Sequence, residues 1–280
     1  MAQQAVDLVE LEVSPVPWQP LRRRSSRGHK GLSYMLALAV AMGTWWSLSV
    51  LGVFPRFALP SPGDVYHAFT STVSTGYLSV TLQQDLVSSV LRVGVAFLGA
   101  VLIGTAVGVL MAESRFIFGL IDPFLQFLRP IPPLAFIPLF VVWFGIGELP
   151  KVLLILVSTL PVIIINTISG VRGAPRQRVE VAQCLGATRG EILRHVVLPS
   201  ALPEIFTGMK VGVGVAWSTL VAAELIAAQR GLGWLVEQAG QELQTAIVVV
   251  GIIVIGIVGY LMELAIRSLE RAVVPWRGKT

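Results

Sequence analysis

The feature that most constrains this chain is a series of long apolar stretches separated by short polar segments. A hydrocarbon core about 30 Å thick needs about 20 apolar helical residues to span it, and six stretches approach or exceed that length. Hydrophobic residues make up 54% of the 280 residues and charged residues 13%, whereas a soluble domain is about a quarter charged. The sequence therefore predicts an all-α polytopic membrane protein with six transmembrane helices, and it excludes a soluble globular domain.

The six predicted spans differ in their glycine and proline content. In the second span, Gly104 and Gly108 form a small-xxx-small pattern that lets helix backbones approach closely. The third span contains four prolines, so we expect its start to be irregular or kinked. Between the first two spans, a short interfacial helix capped near Asp64 is expected. The spans cover residues 32–51, 86–112, 130–145, 152–171, 201–228 and 245–266.

Basic residues are concentrated in every second segment outside the spans. The N-terminal segment 1–31, the segments after the second and fourth spans, and the tail 269–280 hold most of them. The alternate segments hold only Arg56, Lys151 and Arg230. Because Lys and Arg accumulate in cytoplasmic segments, both termini are expected in the cytoplasm. This distribution accounts for the net charge of +5, and a nucleic-acid partner is left without support.

Residues able to carry catalysis are few. The single cysteine, Cys184, excludes a disulfide framework and a cysteine-rich metal site. The three histidines lie in predicted loops, and no hydrolase or metalloprotease motif is present. The ending Gly278-Lys279-Thr280 resembles the close of a phosphate-binding loop, but Val273 stands where that loop needs glycine. We therefore predict no catalytic residue, no metal and no bound nucleotide in this chain.

The segment between the fourth and fifth spans, residues 172–199, has the pattern of two short helices. Gly186 suits a helix C-terminus, and Thr188 with Glu191 three residues later suits a capping box for a second helix. That helix is expected to stop before Pro199. Each helix carries an apolar stripe. A docking element for a soluble partner and a helix pair lying on the bilayer surface explain this pattern about equally well.

Six residues of this segment follow a characteristic spacing. They are Glu180, Ala182, Gly186, Val196, Leu198 and Pro199. The spacing resembles the E-A-A-x3-G-x9-I-x-L-P loop of binding-protein-dependent ABC importer permeases, with Val181 in place of the second alanine and Val196 in place of isoleucine. The resemblance implies that residues 172–199 form the ATPase-coupling loop, the name used below. Glu180 is expected near the N-terminal end of its first helix.

Two further segments extend the resemblance. Residues 129–148 and 217–233 are similar to the taurine, sulfonate and nitrate branch of these permeases. The likeness runs through residues 32–277, and the type I permease core is expected at 81–268. The first thirty residues are unmatched and receive no function beyond their charge.

A type I importer permease is expected to be a transporter subunit and not an enzyme. The resemblance implies a second copy of the chain, two cytoplasmic ABC ATPase subunits that bind ATP and Mg²⁺, and an extracytoplasmic substrate-binding protein. It also implies a multi-pass protein in contact with lipid in the bacterial plasma (inner) membrane. The expected solute is a small organosulfonate, taurine first, with aliphatic sulfonate or nitrate as the alternative. A secondary transporter is the rival from a different class.

Charged residues within spans are expensive and are therefore candidates for function. Arg92 and Glu224 are expected to pair across the helix bundle, either as a structural contact or as part of a pathway or gate. Glu263 and Arg267 are expected to form an i,i+4 pair. Lys210 is expected to extend its ammonium group toward the cytoplasm.

Overall fold

The computed structural model of the chain describes residues 27–55 and 57–276. These residues form helices and connecting loops, with an isolated bridge between Tyr77 and Val80 as their one strand-like pairing. The predicted all-α class is confirmed. In chain order the helices are α1 (Arg27–Val50), α2 (Pro62–Ser74), α3 (Leu82–Glu113), α4 (Arg115–Leu128), a 3₁₀ turn (Pro133–Phe136), α5 (Ile137–Phe144), α6 (Glu148–Arg172), α7 (Arg176–Cys184), α8 (Arg189–Ile192), a π turn (Leu193–Val197), α9 (Leu198–Ala227), α10 (Leu232–Gln241) and α11 (Thr245–Val273).

Some of the predicted organisation lies outside the described residues. The basic segment 1–31 is described only from Arg27 onward, and the tail only as far as Trp276. Arg56, which entered the topology argument, also lies outside. The described residues fall into two units, one that ends at Ser47 and one that begins at Leu48. Both candidate sites below lie in the second unit.

Within the described part of the chain, four helical segments are long and apolar enough to cross a bilayer. A fifth crossing results if α4 and the following Pro133–Phe144 segment, which meet at 96°, count as one bent span. The apolar part of α1, Met35–Val50, is shorter. The membrane-protein class is confirmed, and the number of six spans stays a prediction. The four segments are Leu82–Glu113, Glu148–Arg172, Arg189–Leu225 and Thr245–Val273.

The segment after α3 differs from the sequence-based expectation. Residues 115–128, expected to form a loop, form the helix α4 instead. An apolar face explains this helix, because Leu125 packs into a cluster with Met111 and Ile164. The chain then bends where three closely spaced prolines lack backbone N–H donors and disfavour helix in the residues before them. The third predicted span therefore corresponds to the second arm of a helix pair that is bent by 96°.

Small residues decide how closely α3, α6 and α9 pack. A Cβ atom on Gly108 of α3 would lie 2.6 Å from the Cβ of Thr167 on α6, and one on Gly104 would lie 2.9 Å from Ile163. The close approach expected from the small-xxx-small pattern is therefore present. On the other side of α6, a Cβ on Gly208 of α9 would lie 2.6 Å from the Cβ of Asn166. These contacts make α6 the central helix of the bundle.

Two ion pairs lie along the last helix. Arg267 donates to Glu263 at 2.7 Å, so the expected i,i+4 pair is confirmed. Lys210 of α9 donates to Glu270 at 3.0 Å, near the end of α11. Apolar side chains elsewhere on α11 are exposed, as on a helix that faces lipid: they include Ile252, Ile253, Ile257 and Leu261.

Candidate functional site

The first helix of the coupling loop ends in a turn that requires glycine. Gly186 has a φ of +79°, in the left-handed region that residues with a Cβ enter only with strain. The N–H of Ala187 donates to the carbonyl of Ala182 at 3.0 Å, and that of Gly186 donates to Gln183 at 2.9 Å. This pair of bonds is a Schellman motif. The glycine stop predicted from the sequence is therefore present.

The second helix begins as predicted but does not end as predicted. The Thr188 N–H donates to the Glu191 carboxylate at 2.8 Å, and the two residues form the expected capping box. The stop expected before Pro199 is wrong, because the chain passes through the π turn directly into α9. In that turn the N–H of Leu198 donates to the carbonyl of Leu193. The bonding ladder therefore shifts from i−4 to i−5 just before Pro199, the residue that has no N–H to donate to it.

One face of the coupling loop packs against the ends of the long helices. Ile192 and Val197 are buried, and they form a cluster with Val171 at the end of α6 and with Ala201 and Ile205 of α9. The cluster is completed by half-buried side chains of the loop, which include Val179, Ala182, Leu193 and Val196. A force applied to the loop would therefore reach α6 and α9 directly.

The opposite face of the loop is apolar and exposed. Val181 is 60% exposed and Leu185 is 82% exposed, and their spacing of four places them on one side of α7. Glu180 beside them is also exposed, but it is the fifth residue of α7. The expectation that Glu180 lies near the helix N-terminus is therefore wrong, and a helix-dipole role for it falls away. The exposed apolar face favours docking into a groove on a partner.

A second candidate site lies at the other end of the long helices. We call it the polar cluster, and it consists of Asp85, Ser89, Arg92, Glu148 and Glu224. Arg92 forms an ion pair with Glu224, whose side chain is fully buried. The pairing of these two residues expected from the sequence is therefore present, while its role stays a prediction. The Ser89 hydroxyl donates to the same carboxylate at 2.8 Å.

The polar cluster binds the backbone of the loop that follows α9. The N–H of Gly231 donates to Asp85 at 2.8 Å, that of Leu232 to the Ser89 hydroxyl at 2.9 Å, and that of Gly233 to Glu224 at 3.0 Å. Three consecutive amides are thus fixed by buried side chains. A Cβ on Gly233 would lie 2.6 Å from the Val221 carbonyl, so this close approach requires glycine.

Arg92 connects this loop to the start of α6. Besides Glu224, its guanidinium donates to the Arg230 carbonyl at 2.8 Å and to Glu148 at 2.8 Å. Lys151 also donates to Glu148 at 3.2 Å. One arginine therefore ties α3, α6, α9 and the loop after α9 together, and its removal would leave a buried carboxylate without its counter-charge.

The sequence reasoning missed most members of the polar cluster. Asp85, Ser89 and Arg92 are spaced at i, i+4 and i+7 and therefore lie on one face of α3. This spacing could have indicated the cluster from the sequence. It was missed because Asp85 lies before residue 86, where the predicted span begins. Among the described residues no group of His, Cys, Asp or Glu side chains could hold a metal ion. The polar cluster instead binds the backbone of the loop after α9 and fixes its position.

Residues 90–275 match the family described as the inner membrane component of binding-protein-dependent transport systems. This range contains the whole coupling loop and most of the polar cluster. The chain belongs to this family. It is accordingly a membrane-spanning permease component of an ABC importer, located in the inner membrane.

Individual relatives are similar over most of their length. The taurine transport system permease protein TauC of Escherichia coli is 44% identical over 243 residues, covering 86% of this chain and 88% of the relative. The nitrate import permease protein NrtB of Synechocystis is 30% identical over 245 residues, covering 86% and 88%.

A solved structure has the same fold. An inward-facing conformation of the MetNI methionine ABC transporter contains a chain that matches with a TM-score of 0.61 and 22% identity. The match covers 69% of this chain and 95% of that chain. At this identity the similarity establishes the fold of the permease and nothing about its solute.

Proposed function

We propose that this chain forms the translocation pathway of an ATP-driven importer for a small organosulfonate, with taurine as the first candidate. The observation that carries the proposal is the 44% identity to the E. coli taurine permease along 86% of the chain. Relatives at lower identity include a putative aliphatic sulfonate permease and a nitrate permease, so aliphatic sulfonate or nitrate is the alternative solute.

The proposed assembly contains two copies of this chain, two cytoplasmic ATPase subunits and an extracytoplasmic binding protein. ATP and Mg²⁺ are bound by the ATPase subunits, and both termini of this chain lie in the cytoplasm with the coupling loop. The exposed Val181 and Leu185 support this arrangement, because a groove on an ATPase subunit would cover them. The inner face of the loop then carries the ATPase motion to α6 and α9.

Growth on a single sulfur source tests the solute. A strain in which this chain is deleted, and which has no redundant system, is expected not to grow with taurine as its sole sulfur supply. Growth on sulfate serves as the control, because it does not depend on this transporter. Unimpaired growth on taurine would reject taurine and direct the same test to aliphatic sulfonates.

Reconstitution tests the mechanism separately from the solute. In proteoliposomes that contain the permease, its ATPase and the binding protein, uptake is expected to require ATP. Uptake by the permease alone under an ion gradient would instead support a secondary transporter.

A further inference from the structure

Two adjoining cavities border the bend between α4 and the Pro133–Phe144 segment. The first has a volume of about 390 Å³ and lies between the bend after α4, the helix α6 and the helix α9. The second has a volume of about 720 Å³ and lies between α4 and the end of α6. Arg129 and Ile165 line both cavities. The two cavities therefore lie one after the other along α6, with Arg129 in the wall of both.

The first cavity lies halfway along the helices that border it. Its lining on α6 runs from Leu154 to Asn166, around the middle of Glu148–Arg172. Its lining on α9 is Val211 and Val215, the middle of that helix as well. Since both helices are long enough to cross a bilayer, the cavity lies near half-depth.

Arg129 brings a positive charge to the wall of this cavity. Within residues 27–55 and 57–276, no carboxylate lies within salt-bridge distance of its guanidinium. Asp122, which lines the second cavity, bonds to the side chain of Gln126 instead. A charged side chain at a bend between two apolar helices is expensive unless it faces a bundle interior or a water-filled cavity. An exposed guanidinium in this position is a ready partner for an anion.

The rest of the lining suits a small zwitterion. Most wall residues of the first cavity are apolar, but Ser158 and Asn166 add oxygen atoms to it. Their hydrogen atoms are partly used within α6, where Ser158 donates to Ile155 and Asn166 donates to Val162, both at 2.8 Å. Their oxygen atoms are therefore available to accept, as an ammonium group requires. The second cavity adds Arg172 and Asp122, so two arginines and one carboxylate line the two cavities together.

We propose that the cavity at Arg129 is a transient binding site for the transported solute, in which Arg129 binds the sulfonate. The second cavity is its exit toward the end of α6. This inference rests on the proposed function for the identity of the anion. Arginine suits a sulfonate because its planar guanidinium presents several donors to oxygen atoms at once.

A cysteine at the cavity wall tests the site. The native Cys184 is exposed and is first replaced by serine, and Ser158→Cys is then introduced in the complete transporter. Inverted membrane vesicles are treated with 2-sulfonatoethyl methanethiosulfonate, which carries the same sulfonatoethyl group as taurine, or with its cationic trimethylammonium counterpart. The anionic reagent is expected to react faster, and Arg129→Gln is expected to lower the anionic-to-cationic rate ratio by about tenfold.

A matched arginine provides the control. Arg115 lies exposed at the start of α4 and lines neither cavity. Arg115→Gln removes the same charge and is expected to leave the ratio within about twofold. Arg129→Lys keeps the charge and is expected to retain most of the preference. A ratio unchanged in Arg129→Gln, or an introduced thiol in Ser158→Cys that reacts with neither reagent, would overturn the site.

Transport separates the site from the choice of solute. ATP-dependent taurine uptake in proteoliposomes is expected to fall at least about tenfold in Arg129→Gln and to change little in Arg115→Gln. Normal taurine uptake in Arg129→Gln would overturn the site and leave the proposed function standing. A preserved effect on the labelling ratio with no taurine uptake by the wild type would reject taurine and leave an anion site for another solute.

Discussion

The two ends of the helix bundle contrast in how their polar and apolar groups are satisfied. In the polar cluster, the buried Glu224 carboxylate is matched within the chain by Arg92, Ser89 and the amide of Gly233. One oxygen of Asp85 accepts from the amide of Gly231. In the coupling loop, polar groups bond to near neighbours, as Thr188 does to Glu191. Its apolar Val181 and Leu185 stay exposed.

The polar cluster is formed within the chain, whereas the exposed apolar face of the coupling loop can be buried only by another protein. Buried charges need their partners in place, so the polar cluster is expected to set stability. An exposed apolar face gains free energy only when a partner covers it. Changes at the coupling loop should therefore affect assembly and transport more than the stability of the permease.

The largest expected effect is at the polar cluster. Arg92→Met leaves Glu224 buried without its counter-charge and is expected to destabilise the protein by about 3–5 kcal/mol. The thermal unfolding midpoint of the purified transporter measures this loss. The control is Arg267→Met, which breaks the exposed pair with Glu263 and should cost no more than about 0.5 kcal/mol. Equal shifts in the two variants would show that the polar cluster does not set stability.

The next effect is at the glycine of the coupling loop. Gly186→Val forces valine into a positive φ, which costs on the order of 1–2 kcal/mol, although no atom lies within 4 Å of the added Cβ. Reduced co-purification of the ATPase and reduced substrate-stimulated ATP hydrolysis are expected, with the spans still inserted.

A second glycine serves as the control for that change. Gly190 lies in α8, also with no atom near an added Cβ and without a positive φ. Gly190→Val therefore adds the same volume without the backbone strain and should leave ATPase binding nearly normal. If Gly186→Val still co-purifies with its ATPase and transports normally, the loop is not the coupling element.

A milder effect is expected at Glu180. Its charge is exposed beside Val181 on α7, so Glu180→Ala removes a charge at the rim of the proposed interface and mainly slows association. The binding rate of the ATPase should fall about two- to fivefold, and less so at high salt. Glu113→Ala, an exposed change at the end of α3, is the control. A salt-independent loss would point to a structural role for Glu180 instead.

Cysteine labelling is expected to have the smallest effect on function, and it reports the orientation of the chain in the membrane. With Cys184 replaced by serine, Gln177→Cys on α7 should resist a membrane-impermeant thiol reagent added outside intact cells. Gln229→Cys, in the loop bound by the polar cluster, should react. Both side chains are exposed, so access depends on the side of the membrane. The reverse pattern would place the two ends on the opposite sides.

Features set by neighbouring residues were predictable. The Thr188–Glu191 capping box and the turn at Gly186 follow from spacings of a few residues, and hydropathy located the long helices. The α4 helix was missed although residues 115–128 already carry an apolar face in the sequence, and only the structure shows that Leu125 on this face packs on Met111 and Ile164. The helix stop at Pro199 was also wrong, since the chain continues through the π turn into α9, and residues of the loop and of α9 pack in one buried cluster.

The sequence by itself determined the membrane class, the long helices and the local turns, because hydropathy and short-range hydrogen bonds act within a segment. Only the tertiary structure decided which distant residues meet. Gly231 and Asp85 are 146 residues apart, and no local pattern specifies their contact. Close packing of the glycine-bearing faces of α3, α6 and α9 brings the polar cluster together and leaves the cavity at Arg129 along α6. The distances between these three helices depend on the packing of the whole bundle, which no single segment determines.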